Sequence, residues 1–228
     1  MWRIAATLTH ERSYGKPGII PAVTSAAAQR RGSERQPRRT RAAILERAVD
    51  LASVEGLEGL TIGRLASDLG MSKSGLFVHF GSKEELQLAT IEEAAARFVR
   101  EVVEPALPEP EGEARLRALC GAFIDYLERG VFAGGCFFGA ASIEFDDRPG
   151  PVGDRVRDSI AAWIGYLEAQ AAAAGAADPK LVAFELQSLA QGANSAFRLF
   201  GEPETFARAR KAIDAVIDGQ AQGSRRAK

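Results

Sequence analysis

Residues 60–86 read LTIGRLASDLGMSKSGLFVHFGSKEEL, and this stretch decides the fold. Thr61 stands as an N-cap before Ile62, Leu65, Ala66 and Leu69, whose i, i+3, i+4, i+7 spacing marks one face of a helix that ends at Gly70. Ser72 caps a second, very short helix through Lys73, Ser74, Gly75, Leu76, Phe77, Val78 and His79, closed by Gly81. Ser82 with Glu85 three residues on makes a capping box, opening a long helix that carries Leu86, Ala89, Phe98 and Val102 before Pro105. Two short helices joined by Gly70, Met71 and Ser72 have the dimensions of a helix-turn-helix, although generic helical hairpins share them. Ile62, Leu65, Leu69, Leu76, Phe77 and Phe80 supply a small core that fixes the pair, which leaves Lys73, Ser74, Gly75, Val78 and His79 facing outward.

Working outward, Ile44, Leu45, Ala48, Leu51 and Ala52 mark one face of a preceding helix that begins near Arg38 and stops near Gly56. Residues 1–37 mix Pro, Gly, Ser and Arg without periodicity and read as a basic, disordered leader. Beyond Pro105, Leu116, Leu119, Cys120, Phe123, Ile124 and Leu127 form an amphipathic stripe, and Val131–Phe145 is apolar and punctuated by glycine. Asp146-Asp147-Arg148-Pro149-Gly150 is a turn. Val152, Val156, Ile160, Trp163, Ile164 and Leu167 mark another helix. The helix opened by Asp178 and Pro179 is apolar on several faces, which requires burial on more than one side. Phe206, Ile213, Val216 and Ile217 mark the last, ending near residue 218. No strand alternation and no internal repeat is present, so the fold class is all-α, with boundaries read as 1–37, 38–83 and 84–228.

Charge divides along the same line. Of 228 residues, the first 83 hold 13 Lys and Arg against 7 acids, and the remainder hold 16 against 23. A basic front and an acidic body fit a polyanion-binding head carried on a domain that repels nucleic acid. No run approaches the ~18 apolar residues of a membrane span, and no secretory leader is visible, so a cytoplasmic protein is expected. Cys120 and Cys136 lack metal-site spacing. With His10 and His79 as the two histidines, neither a His-based triad nor a histidine-rich metal site can be assembled. Gly134 to Gly139 imitates part of a phosphate loop, but Ala140 and Ala141 stand where Lys and Ser/Thr are needed. Glu144, Asp146 and Asp147 read as a polar turn. No enzyme, no cofactor and no metal is expected.

The 60–86 block, with the helix from Arg38 before it, closely resembles the DNA-binding domain of the tetracycline-repressor (TetR) family over about fifty residues. The resemblance implies an N-terminal three-helix helix-turn-helix domain and a larger helical domain for ligand binding and dimerisation. It places Thr61 and Lys83 against DNA phosphates and Lys73, Ser74 and Gly75 where bases are read, with Phe77 and His79 also on the interface. Phe77 stands where many members carry tyrosine, so a phenolic phosphate contact is missing. Pairing is implied through the last two long helices, at Leu189, Gly192, Ala193, Ala196, Phe197, Ile213 and Val216. Aromatic and apolar residues of the middle helices, Phe123, Tyr126, Leu127, Cys136, Phe137, Phe138, Trp163 and Tyr166, are the candidate lining of a pocket for a small hydrophobic effector.

The function so implied is a ligand-responsive regulator, a homodimeric repressor that binds a roughly palindromic operator in double-stranded DNA and is released by its effector. Two alternatives stand beside it. One is an architectural or protein-interaction helix-turn-helix protein without an effector; the other is a thiol redox sensor acting through Cys136.

Overall fold

The chain folds as nine α-helices with no strand among residues 25–226, the part described by the structure, a computed structural model. In order these are α1 (Ser25–Glu55), α2 (Ile62–Leu69), α3 (Lys73–Phe80), α4 (Lys83–Phe98), α5 (Glu113–Glu128), α6 (Phe137–Glu144), α7 (Pro151–Ala173), α8 (Pro179–Phe200) and α9 (Glu204–Arg226). The expected leader falls outside the described residues up to position 24, and α1 begins within the rest of it. Met1–Ile44 and Leu45–Lys228 are separate compact units, and the packing given below is that of the second.

Hydroxyl caps cut the head into short pieces. Thr61 Oγ1 accepts from the Arg64 amide at 3.1 Å, Ser72 Oγ from Gly75 at 3.1 Å and Ser82 Oγ from Glu85 at 3.0 Å. Each satisfies an otherwise orphaned amide, an interaction typically worth about 1 kcal/mol. Gly70, at φ 63° and ψ 25°, ends α2 in the left-handed conformation that a residue with a Cβ resists.

The body follows the apolar stripes. All six stripe residues of α5 are buried, and Tyr126 joins them. The helix α8 packs on α7 and α9, and α9 packs also on α5. Val182, Ala183, Leu186 and Ala190 point one way into that core, with Phe206, Ile213 and Ile217 of α9 opposite. The last helix continues past the expected end near 218 to Arg226.

One departure from the sequence reading concerns how the head joins the body. The expected single long helix from Ser82 to Glu104 is instead α4, a π-helical turn over Val99–Val103, and a 3-10 turn over Glu104–Ala106. Pro105 lacks an amide hydrogen, and its ring collides with the carbonyl four residues earlier, so regular winding cannot continue through it. The glycine-rich stretch before α6 also meets the head. Gly134 donates its amide to Ser53 Oγ at 3.1 Å, and a Cβ at this position would lie 1.6 Å from the Ser53 carbonyl oxygen. Only a glycine allows the loop to lie this close against the end of α1.

Candidate nucleic-acid interface

Helices α2 and α3 meet over Leu65, Ala66, Leu76 and Phe80, all buried, with Ile62 and Leu69 half-covered at the edge. Phe77, expected in this packing set, is 54% exposed. The reason is angular: Leu76 and Phe80 lie one turn apart and fill the inward stripe, while Phe77 follows Leu76 by about 100° around the axis. Lys73, Ser74, Phe77 and Val78, at i, i+1, i+4 and i+5, therefore share the outer face of α3. Gly75 is half-covered at the helix start. His79, expected outward, is half-buried with its ring 6.3 Å from that of Phe80.

The cations of the head differ in what they are doing. From 45 to 83, Arg47 pairs with Asp68, Arg64 with Glu55 and Asp68, and Lys83 with Glu58 at 2.9 Å. Lys73 has no ion-pair partner among the described residues. Its stem crosses Gly63 of α2, where a Cβ would sit 3.2 Å from the lysine Cε. The exposed Thr61 hydroxyl keeps a hydrogen to donate while its oxygen caps α2. Lys83, by contrast, must leave Glu58 before it can meet a phosphate with its side chain. The Lys83 ammonium, which donates to Glu58, holds that carboxyl below the usual carboxylate range, assisted by Gln87 and Arg148.

Sequence reasoning missed Glu144, which it placed in a polar turn. At the end of α6, Glu144 accepts the Leu57 and Glu58 amides with its two carboxylate oxygens, each at 2.8 Å. The body thus grips the connection between α1 and α2. The sequence signal was faint: a carboxylate beside two exposed acids, 86 residues from its partner.

Five of the eight residues proposed to line a pocket, Phe123, Tyr126, Phe137, Phe138 and Trp163, are brought together, but as packed rings. Phe98, at the last position of α4, touches Phe123, Tyr126, Phe138 and Trp163, with centroids 5.0 to 6.4 Å apart. Phe132, which was not proposed, bridges Tyr126 to Phe137. Leu127 is buried with them on α5, and Tyr166 is half-buried on α7. The Tyr126 hydroxyl is buried beside the Cys136 sulfur and the Phe137 backbone and makes no well-formed hydrogen bond among the described residues. Cys136 caps α6: its sulfur accepts from the Gly139 amide at 3.3 Å and from Gln191 Nε2 at 3.2 Å. Burial raises the Cys136 thiol and pushes that of Cys120 up to about 12. Neither resembles the exposed, low-pKa thiol that a redox sensor needs.

The residues proposed for dimerisation divide. Ala193 and Ile213 are buried within the chain's own fold, and Phe197 stacks on Phe206 with centroids 4.9 Å apart. Leu189, Ala196 and Val216 are half-buried, and Gly192 is exposed. The large apolar side chains that α8 leaves in solvent are Leu181, Phe184, Leu199 and Phe200. The sequence showed that α8 is apolar on more than one face; it did not show which face the monomer keeps.

Two family models match this chain: "Bacterial regulatory proteins, tetR family" over residues 44–90, and "Tetracyclin repressor-like, C-terminal domain" over residues 112–213. The transcriptional repressor AcnR of Corynebacterium efficiens is 42% identical over 74 residues, which are 32% of this chain. The chain spans 39% of the length of that relative. A TetR transcriptional regulator from Chloroflexus aurantiacus superimposes with a TM-score of 0.74 at 25% identity, covering 82% of this chain and 98% of that one. AibR, solved with isovaleryl coenzyme A and operator DNA, superimposes at 0.59 with 23% identity over 78% of this chain and 96% of its own. No described helix is long and apolar enough to cross a membrane. With the head and the body each matched, and the helix-turn-helix built as described, the chain belongs to the TetR family of transcriptional regulators.

Proposed function

We propose that this regulator represses transcription as a homodimer, setting α3 of each protomer into successive major grooves of a roughly palindromic operator, and that a small hydrophobic effector releases it. The observation that carries the DNA contact is the outer face of α3: an unpaired lysine, a serine and two exposed apolar side chains, held on a helix whose other face is fully packed. Thr61, Lys73, Ser74, Gly75, Phe77, His79 and Lys83 are the interface residues of this reading. Dimers of such heads read half-sites about 34–36 Å apart along the duplex. The exposed row on α8 from Leu181 to Phe200 supports a self-complementary interface, to which Gly192 and Leu189 contribute. This reading assigns the protein to the cytoplasm, where its operator DNA would be.

The effector site of this reading is the aromatic cluster around Phe98. An unpartnered buried hydroxyl costs about 1–3 kcal/mol, and a ligand that hydrogen-bonds to Tyr126 recovers it. Entry of a ligand must separate packed rings, including the one that ends α4. Only a ligand that favours the non-binding head spacing can release DNA, because release depends on differential affinity for two states.

The test is a mobility shift with the chain's own upstream region at moderate salt and with competitor DNA. A discrete complex that survives competition supports the repressor reading. Equal retention of every sequence overturns it in favour of an architectural protein.

A further inference from the structure

Val78 is 84% exposed and Phe77 54% exposed, side by side on the outer face of α3. Neither supports the fold of the head, since Leu76 and Phe80 already fill the inward stripe. Large apolar side chains in water at the centre of a DNA-facing helix call for an apolar partner in the complex. The major groove offers one apolar substituent, the C5-methyl group of thymine; adenine, guanine and cytosine present only donors and acceptors there. Lys73 on the same face brings the positive charge that draws the helix to the duplex, and it pairs with no carboxylate among the described residues. Ser74 adds a short polar group that either donates or accepts.

We infer that Val78, with Phe77 beside it, selects thymine in each operator half-site by covering the C5-methyl group. This rests on α3 entering the major groove, as proposed above, and adds which base its apolar side chains read. Lys73 then supplies attraction and polar contact, while the apolar pair distinguishes thymine from cytosine and from uracil, which lacks only the methyl.

The experiment uses the full-length wild-type protein and its selected operator, with deoxyuridine replacing thymine one position at a time. Losing one covered methyl should weaken binding about fourfold at one or two positions of a half-site. Replacement in both half-sites should give about sixteenfold, the two sites being far enough apart to add. Val78→Asn, at a position 84% exposed, should narrow the preference for thymine over deoxyuridine, and Val78→Asn with Phe77→Asn should abolish it. Lys73→Ala should bind both more weakly and still prefer thymine. If wild-type protein binds every deoxyuridine operator as tightly as the parent, the inference fails and the repressor reading stands. If selection returns no preferred sequence at all, both fail.

Discussion

Lys73 and Lys83, which the family resemblance assigns to bases and to phosphate respectively, also differ in what their neighbours leave free. Lys73→Ala removes an unpaired charge, so operator affinity should fall and discrimination between operators should narrow in competition mobility shifts. Lys83 is half-neutralised by Glu58, in an exposed pair worth under about 1 kcal/mol to the fold. Glu58→Gln should therefore leave stability almost unchanged while tightening binding to all DNA and steepening its dependence on salt, measured by titration at several ionic strengths. Acid does the same: the lowered Glu58 carboxyl stays ionised through the usual carboxylate range, and its pairing is lost as pH falls through the lowered value. Tyr126→Phe removes an unsatisfied hydroxyl and should raise stability by about 1 kcal/mol in urea denaturation, while weakening any effector that binds there. These roles were only partly legible. Thr61, Ser72 and Ser82 announced themselves because capping is local chemistry. Phe77 did not, because counting apolar residues along an eight-residue helix cannot say which of two neighbours faces in.

At the level of elements, the head was readable and its attachment was not. Helices α2, α3 and α4 each begin at a hydroxyl and the first two end at a glycine, signals that lie within a few residues of the structure they specify. The bond from Glu144 to the 57–58 amides spans 86 or more residues, and no local pattern marks it. Glu144→Ala leaves two amides without their charged acceptor and should cost about 2 kcal/mol, with earlier thermal unfolding. The amides of residues 57 and 58 should exchange faster with solvent in the same variant, whereas those of α7 and α8 should not change. The π-helical turn was equally hidden. Phe98 and Val102 fit a regular helix by spacing, and only the packing of Phe98 among four rings, with Pro105 beyond, shows where the winding changes.

For the whole molecule, the all-helical class and the division into a basic head and an acidic body followed from periodicity and charge. The face proposed to pair two copies did not, since α8 is apolar on several sides and the chain's own core claims Ala193 together with Ile213 of α9. The exposed row makes a sharp prediction. Phe184→Glu, on a side chain 68% exposed in the monomer, should leave helical content intact by circular dichroism. In sedimentation the variant should be a monomer, and its binding should drop from a full palindrome to the affinity of a half-site. A dimer that survives this change would place the interface elsewhere.

The loop at Gly134 has a different kind of consequence. Its amide holds Ser53, and the space a side chain would occupy is already filled by the Ser53 carbonyl. A library covering every codon at this position, selected for repression of a reporter, should return glycine alone. The position would then rank with the recognition helix for intolerance while standing outside every proposed binding surface. An inventory of sensitive sites drawn only from mutational scans would mistake it for a contact.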